Sequence, residues 1–146
     1  MNQALKTLIP VGAVAFFCFI LWVIYLANTG QNSVFFQFVA SIPYGDKLGH
    51  FCLFGLLTLA TNLAFKFKSL TIFSIKLYSM KLFLGTILVS IFVIIEEFSQ
   101  YFIANRSFDL MDLSADFVGI VFFTFVTSYL NKITLRSKSS LHDNIK

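Results

Sequence analysis

Four stretches of this 146-residue chain are apolar for long enough to cross a membrane, and its polar residues are arranged around them. A bilayer core takes roughly 20 apolar residues in a helix. The first window runs from Thr7 to Ala27 and the second from about Leu48 to Phe65. The third covers Leu82 to about Ala104, and the fourth Leu113 to about Leu130. The second is the weakest, being short and interrupted by His50 and Asn62. Between the windows, Asn28–Gly45 carries Gln, Asn, Ser, Pro43 and Gly45 and reads as a loop, with a Pro43–Gly45 turn entering the second helix. The segment Lys66–Lys81 alternates Leu, Ile, Phe and Tyr with Lys and Ser, which suits chain lying on an anionic membrane face. The end, Lys132 to Lys146, is rich in Ser and Lys and reads as solvated. The pattern predicts an all-α membrane protein: one bundle of four transmembrane helices over residues 1–131, then a basic tail over 132–146.

Composition narrows the class. The chain is 58% hydrophobic with 20 Phe and only 12% charged residues, whereas roughly a quarter of an average soluble chain is charged. There is no room for a second domain. The first window exceeds the roughly 7–15 residues of a signal-peptide core, and no clear small-x-small cleavage site follows it, so it reads as a retained span. Cys18 and Cys52 fall inside predicted spans, where thiols usually pack. No internal repeat, Ser/Cys–His triad pattern or phosphate-cradling glycine loop is visible. The basic segment reads as membrane-facing, and no nucleic-acid partner is expected.

The charges add an orientation. Lys6, then Lys66, Lys68, Lys76 and Lys81, then Lys132, Arg136, Lys138 and Lys146 fall on one side of the four-span scheme, leaving only Lys47 and Arg106 on the other. Cytoplasmic loops carry the excess of Lys and Arg, so both termini are expected in the cytoplasm. Three polar clusters from distant segments then meet at the outer face. An ionised side chain near a bilayer centre costs at least about 2.5–3.5 kcal/mol, so such residues need partners or a wet cavity.

The first cluster is Asp46-Lys47-Leu48-Gly49-His50. Asp46 suits a helix N-cap, and its i, i+4 spacing lets it meet His50. A carboxylate-held imidazole suits a base or a metal ligand. The plain alternative has Asp46 capping, Lys47 reaching the headgroups and His50 bonded to another helix. In the second cluster, Glu96 and Glu97 are about 100° apart on a helix and Gln100 lies between them. Paired acids at this depth favour function over scaffolding. The third cluster runs from Arg106 to Gly119, with Asp109, Asp112, Asp116 and Gly119 on one helix face. Ser107 or Asp109 suits the cap, and Gly119 permits close helix approach. Arg106 is the evident cation, either closing the connection by pairing with an Asp or holding an anionic substrate.

Together these residues resemble a known family. The ordered set Asp46-Lys47-x-x-His50-Phe51, Glu97-x-x-Gln100, Arg106-Ser107-Phe108-Asp109-x-x-Asp112, then Asp116 and Gly119, is similar to VanZ-like membrane proteins over about residues 46–122. The position of Asp116 is often Asn in that pattern, which leaves open whether it acts as donor or acid. The family is named for a protein associated with teicoplanin resistance and comprises small bacterial proteins. The resemblance implies a multi-pass protein of the bacterial cytoplasmic (inner) membrane, and it selects Glu97 over Glu96.

Three functions fit. An outer-face site binds or modifies a lipid-linked or cell-wall substrate; as an enzyme it would use His50 or Glu97 as general base, Asp112 and Asp116 to orient that base or hold a divalent cation, and Arg106 for an anionic group. Asp46, Lys47, Gln100 and Asp109 would then contact substrate. Alternatively, the pocket belongs to a non-enzymatic binder or accessory protein, or the polar residues only fix helix register. No organic cofactor is called for; the donors suit Mg or Mn and less readily Zn.

Overall fold

The computed structural model of the chain describes residues 3–31, 34–75 and 78–143. Five helices and one hairpin follow in order: α1 (Gln3–Asn28), α2 (Val34–Ser41), α3 (Gly45–Ala64), β1 (Ser69–Ile75), β2 (Tyr78–Phe83), α4 (Leu84–Gln100) and α5 (Leu110–Asp143). Three are long and apolar enough to cross a membrane: α1, α3 and α5 over Leu110–Ser137. The third predicted span, Leu82 to about Ala104, is α4, a helix of 17 residues, almost a turn short of the roughly 20 a bilayer core requires. Large apolar side chains cover the outside of the bundle, among them Leu8, Trp22, Ile94, Phe117 and Phe125. A water-soluble protein would not expose so continuous an apolar surface.

Two sequence expectations are corrected. The fold is not all-α, because the basic segment between α3 and α4 forms an antiparallel hairpin, pairing Ser69 with Phe83 and Ile75 with Tyr78, with a register shift between Thr71 and Phe73. Its alternation of apolar with polar residues has the strand period of two, which no helical surface segment would show. The boundary at residue 131 also falls inside α5, which continues to Asp143 without interruption. Half of the loop before Gly45 is α2. Lys76 and Lys146, two of the orienting bases, lie outside the described residues.

α3 and α5 form the central pair. Gly119 lies against the Phe51 backbone, and a Cβ there would overlap the Phe51 carbonyl. Gly55 faces the Phe123 ring and the Gly119 carbonyl in the same way. Two glycines at one crossing let the backbones approach as no larger residue would allow. α4 closes the third side and α1 packs on α3. The core they share is Ile20, Phe54, Leu57, Val89, Val93 and Ile120.

A polar layer seals the α3 C-terminal end of this core. Asn62, fully buried, donates to Thr86 Oγ1 at 3.0 Å and Thr127 Oγ1 at 3.3 Å. Its Oδ1 accepts the Thr86 backbone N–H at 3.0 Å, and Thr86 Oγ1 meets Thr124 Oγ1 at 3.0 Å. The first-turn donors of α4 lack a side-chain cap from Phe83, so Asn62 caps α4 from a neighbouring helix. Gly85 makes room for it, since a Cβ would strike the Asn62 amide. Every member is satisfied, which marks the layer as structural. Asn62→Leu should strand the Thr86 N–H and cost about 1–3 kcal/mol, read as earlier thermal unfolding in nanodiscs without loss of ligands bound at the far end.

Candidate functional site

The other polar layer stands at the opposite end of the core. Counted along the chains, His50 is twelve residues from Asn62, Glu97 eleven from Thr86 and Asp116 eleven from Thr127. At 1.5 Å per residue, the two layers are about 17 Å apart on all three helices. The second layer is rich in acids where the first is neutral.

The entry to α3 differs from expectation. Tyr44 occupies the cap position in the left-handed region at φ 57° and makes no side-chain cap bond. Asp46 therefore lies in the first turn, where it complements the positive helix end without capping it. Gly45 fits beneath α2, since a Cβ would strike the Val39 carbonyl. Asp46 contacts Lys47 at 3.3 Å rather than His50.

Lys47 is the cation of the site. Its Nζ lies 2.6 Å from Asp109 Oδ2 and 2.5 Å from Asp112 Oδ1. It ties the start of α3 to the start of α5. Asp109 also accepts the Met111 N–H at 2.8 Å, so it, and not Ser107, caps α5. The hydrogen bond from Lys47, reinforced by that backbone N–H, holds the Asp109 carboxyl below its ordinary value. Arg106 does not close the connection by pairing with an Asp: among the described residues no carboxylate lies within 4 Å of its guanidinium.

His50 reaches between helices. Its Nδ1 lies 3.0 Å from Asp116 Oδ1 and 3.3 Å from Asp116 Oδ2. The same nitrogen is 3.6 Å from Glu97 Oε1, while Nε2 faces Asp112 Oδ2 at 4.0 Å. The carboxylate that holds the imidazole is thus Asp116 on α5, sixty-six residues away. Gln100 donates to Glu96 Oε2 at 2.9 Å and Glu97 Oε1 at 3.1 Å, as its position between them on the helix requires. Both glutamates are buried and face different neighbours. Glu97 turns toward His50 and Asp116. Glu96 lines a cavity on the other side.

That cavity, about 220 Å³, opens between α1, α3 and α4. Ile20, Val23, Leu53 and Phe54 make its apolar wall, and Asp46, His50, Glu96 and Arg106 its polar end. Two trios place nitrogen and oxygen ligand atoms within 4.8 Å of one another: Asp46, His50 and Asp112, and His50, Glu97 and Asp116. All nine residues singled out from the sequence gather at one end of the bundle, linked through contacts or the cavity wall. Glu96, which the sequence pairs with Glu97 but the resemblance passes over, lies on that wall, and the whole Asn62 layer was missed. The signal for the layer was there: Asn62, Thr86, Thr124 and Thr127 interrupt apolar windows at positions that stack across three helices. Comparison of the chain with family models, with curated proteins and with solved structures finds no match, so the resemblance to VanZ-like proteins rests on the residues of this site alone.

Proposed function

We propose that the chain is a VanZ-like, multi-pass protein of the bacterial cytoplasmic membrane whose polar end, on the outer face, binds or acts on an anionic lipid-linked or cell-wall-related substrate. In this reading α4 crosses the membrane with α1, α3 and α5, and the basic hairpin and the C-terminal end of α5 lie in the cytoplasm. The excess of Lys and Arg at that end supports this orientation. A link to glycopeptide resistance follows only from the family resemblance.

The observation that carries the reading is the cavity. Its wall is apolar where a hydrocarbon chain would enter from the bilayer, and it ends at a half-buried guanidinium with no carboxylate partner among the described residues. A free guanidinium at the end of a greasy slot suits a phosphate, which it can hold with paired hydrogen bonds. The cavity is smaller than the roughly 300–1,000 Å³ of sites that enclose whole drug-sized ligands. It therefore takes the segment next to a headgroup while the remaining chain stays in lipid. His50 and Glu96 stand beside that headgroup position as candidates for proton transfer.

Native mass spectrometry of the full chain with a polyprenyl phosphate and with the neutral polyprenol tests this. The phosphate should be retained, and Arg106→Gln should weaken retention at least about tenfold, the value of one charge-assisted hydrogen bond. Equal retention of the neutral lipid, or no effect of Arg106→Gln, would reject the reading. Turnover of lipid-linked intermediates in membranes with and without the protein separates an enzyme from a binder. The binder is the second reading, favoured by the full set of ion pairs around Lys47, which leaves that side of the site without a free group.

A further inference from the structure

We propose that His50, Glu97 and Asp116 form a binding site for one divalent transition-metal ion, of the Zn²⁺ or Mn²⁺ kind, clamped between α3, α4 and α5. It goes beyond the lipid reading, and shares with it only His50, which also lines the lateral cavity.

Geometry comes first. Ligands about 2.0–2.1 Å from a tetrahedral ion are separated by roughly 3.3 Å. His50 Nδ1 stands 3.0 Å from Asp116 Oδ1 and 3.6 Å from Glu97 Oε1, which brackets that edge length, and all three ligand atoms fit within 4.8 Å. The two edges from His50 need shifts of only tenths of an ångström to hold an ion. The three residues come from three helices whose spacing is set elsewhere, by Gly119 against Phe51 and by the Asn62 layer.

A second observation points to a missing ligand. Glu97 is 1% exposed, and its Oε2 is buried with no hydrogen-bond partner. Gln100 engages only Oε1. A buried carboxylate oxygen left without a donor keeps its full desolvation penalty, and nearly all such atoms in folded proteins have a partner. The Asn62 layer of the same protein satisfies each of its polar atoms, whereas among the described residues the buried oxygens without a hydrogen-bond partner are Glu97 Oε2, Asp112 Oδ1 beside it, which only the Lys47 ammonium faces, and Asn28 Oδ1 on α1. Glu97 faces His50 through Oε1, so a cation held by both oxygens of this carboxylate, together with Asp116, would supply the missing partner and neutralise two carboxylates in an apolar bundle.

A third carboxylate, Asp112, stands 4.0 Å beyond the imidazole, outside hydrogen-bond distance but on the side of its free nitrogen. With Nδ1 as ligand, the proton resides on Nε2, which faces Asp112, and Lys47 in turn holds Asp112. A carboxylate behind the free nitrogen of a ligating histidine fixes its tautomer and raises its basicity. One imidazole with two carboxylates suits Zn²⁺ or Mn²⁺, whereas Mg²⁺ strongly prefers oxygen ligands and retained waters.

The test uses the full chain in nanodiscs, purified without a histidine tag and with His142→Ala, so that His50 is the sole imidazole of the two in the sequence. After chelation, Zn²⁺ and Mn²⁺ are titrated separately and metal content is measured. One ion per chain is expected. Glu97→Gln and Asp116→Asn should each weaken binding by more than about 100-fold, and Asp112→Asn, at a carboxylate that pairs with Lys47 and faces only the far nitrogen of the imidazole, by about 10–100-fold. Glu96→Gln, equally buried on the same helix, should retain the ion. Should the ligand variants fail to assemble, Mn²⁺ bound to the His142→Ala chain decides alone: its pulsed electron paramagnetic resonance must show coupling to an imidazole nitrogen. No binding of either metal at sub-millimolar concentration, binding without nitrogen coupling, or binding that Glu97→Gln and Asp116→Asn leave unchanged overturns the proposal.

Discussion

Gly119→Ala is expected to separate α3 from α5 and dismantle the polar site without touching any of its polar side chains. The added methyl would occupy the space of the Phe51 carbonyl. Backbone cannot rotate away as a side-chain tip can, so the helices must part. Overpacking of this kind costs typically about 1–3 kcal/mol, and contact with backbone places this case toward the upper end. The functional consequence follows from position. Gly119 is one helical turn beyond Asp116, and Phe51 directly follows His50, so the crossing that the methyl opens is the one that sets the 3.0 Å His50–Asp116 contact. We expect lower thermal stability in nanodiscs together with loss of anionic-lipid retention. Gly12→Ala, on α1 with open space at the Cβ, should leave both unchanged. Wild-type stability in Gly119→Ala would mean that the close approach is not needed.

Much of this was legible in the sequence because polar residues are expensive in an apolar chain and so carry most of the information. The i, i+3 and i, i+4 spacings put Gln100 beside both glutamates and Asp109, Asp112, Asp116 and Gly119 on one face of α5. What spacing along one helix cannot give is the partner across helices. Asp46 and His50 satisfy a local rule, yet His50 turns to Asp116, because an imidazole on the inner face of α3 points at α5 while Asp46 sits at the rim. Arg106 is the obvious cation by charge, but Lys47 is closer to the acids once α3 lies on α5. Tyr44 in the left-handed region moved the N-cap two residues ahead of Asp46, a turn geometry that a Pro-Tyr-Gly sequence does not single out.

The hairpin was missed for a different reason. In a chain this apolar, period-two alternation with Lys and Ser reads as an interfacial segment, and only pairing with a second such run turns it into strands. β1 and β2 are the two halves of the same alternating run, and β2 passes straight into α4, with Leu84 N–H bonded to the Lys68 carbonyl at 2.8 Å. The length of α4 was overestimated because apolar residues at its ends, Leu82 and Phe83 before it and Tyr101 to Ala104 after it, belong to the strand and to the turn.

Removing the cation should be the most damaging single change. Lys47→Met keeps the length and apolar stem of the side chain but leaves Asp112, 6% exposed, without its 2.5 Å partner. Breaking a buried ion pair from one side costs about 3–5 kcal/mol, because the surviving charge stays buried. Solvent reaches 27% of the Lys47 side chain, so the lower end of that range applies here. The cause can be separated from lost packing by a double substitution. Lys47→Met with Asp112→Asn removes the stranded charge and should recover about half or more of the lost stability, since replacing both members of a buried pair is often nearly neutral. Asp109 gives an internal control. Lys47 holds its carboxyl below the ordinary value, so this arm of the clamp is fully present at neutral pH and is lost as pH falls through that lowered value. Its carboxylate is exposed, so Asp109→Asn should cost far less than Lys47→Met, because solvent screens exposed pairs. Thermal unfolding of the four variants at neutral pH checks the set. Failure of Asp112→Asn to rescue Lys47→Met would show that Lys47 acts through its hydrocarbon stem or through Asp109 rather than by neutralising Asp112.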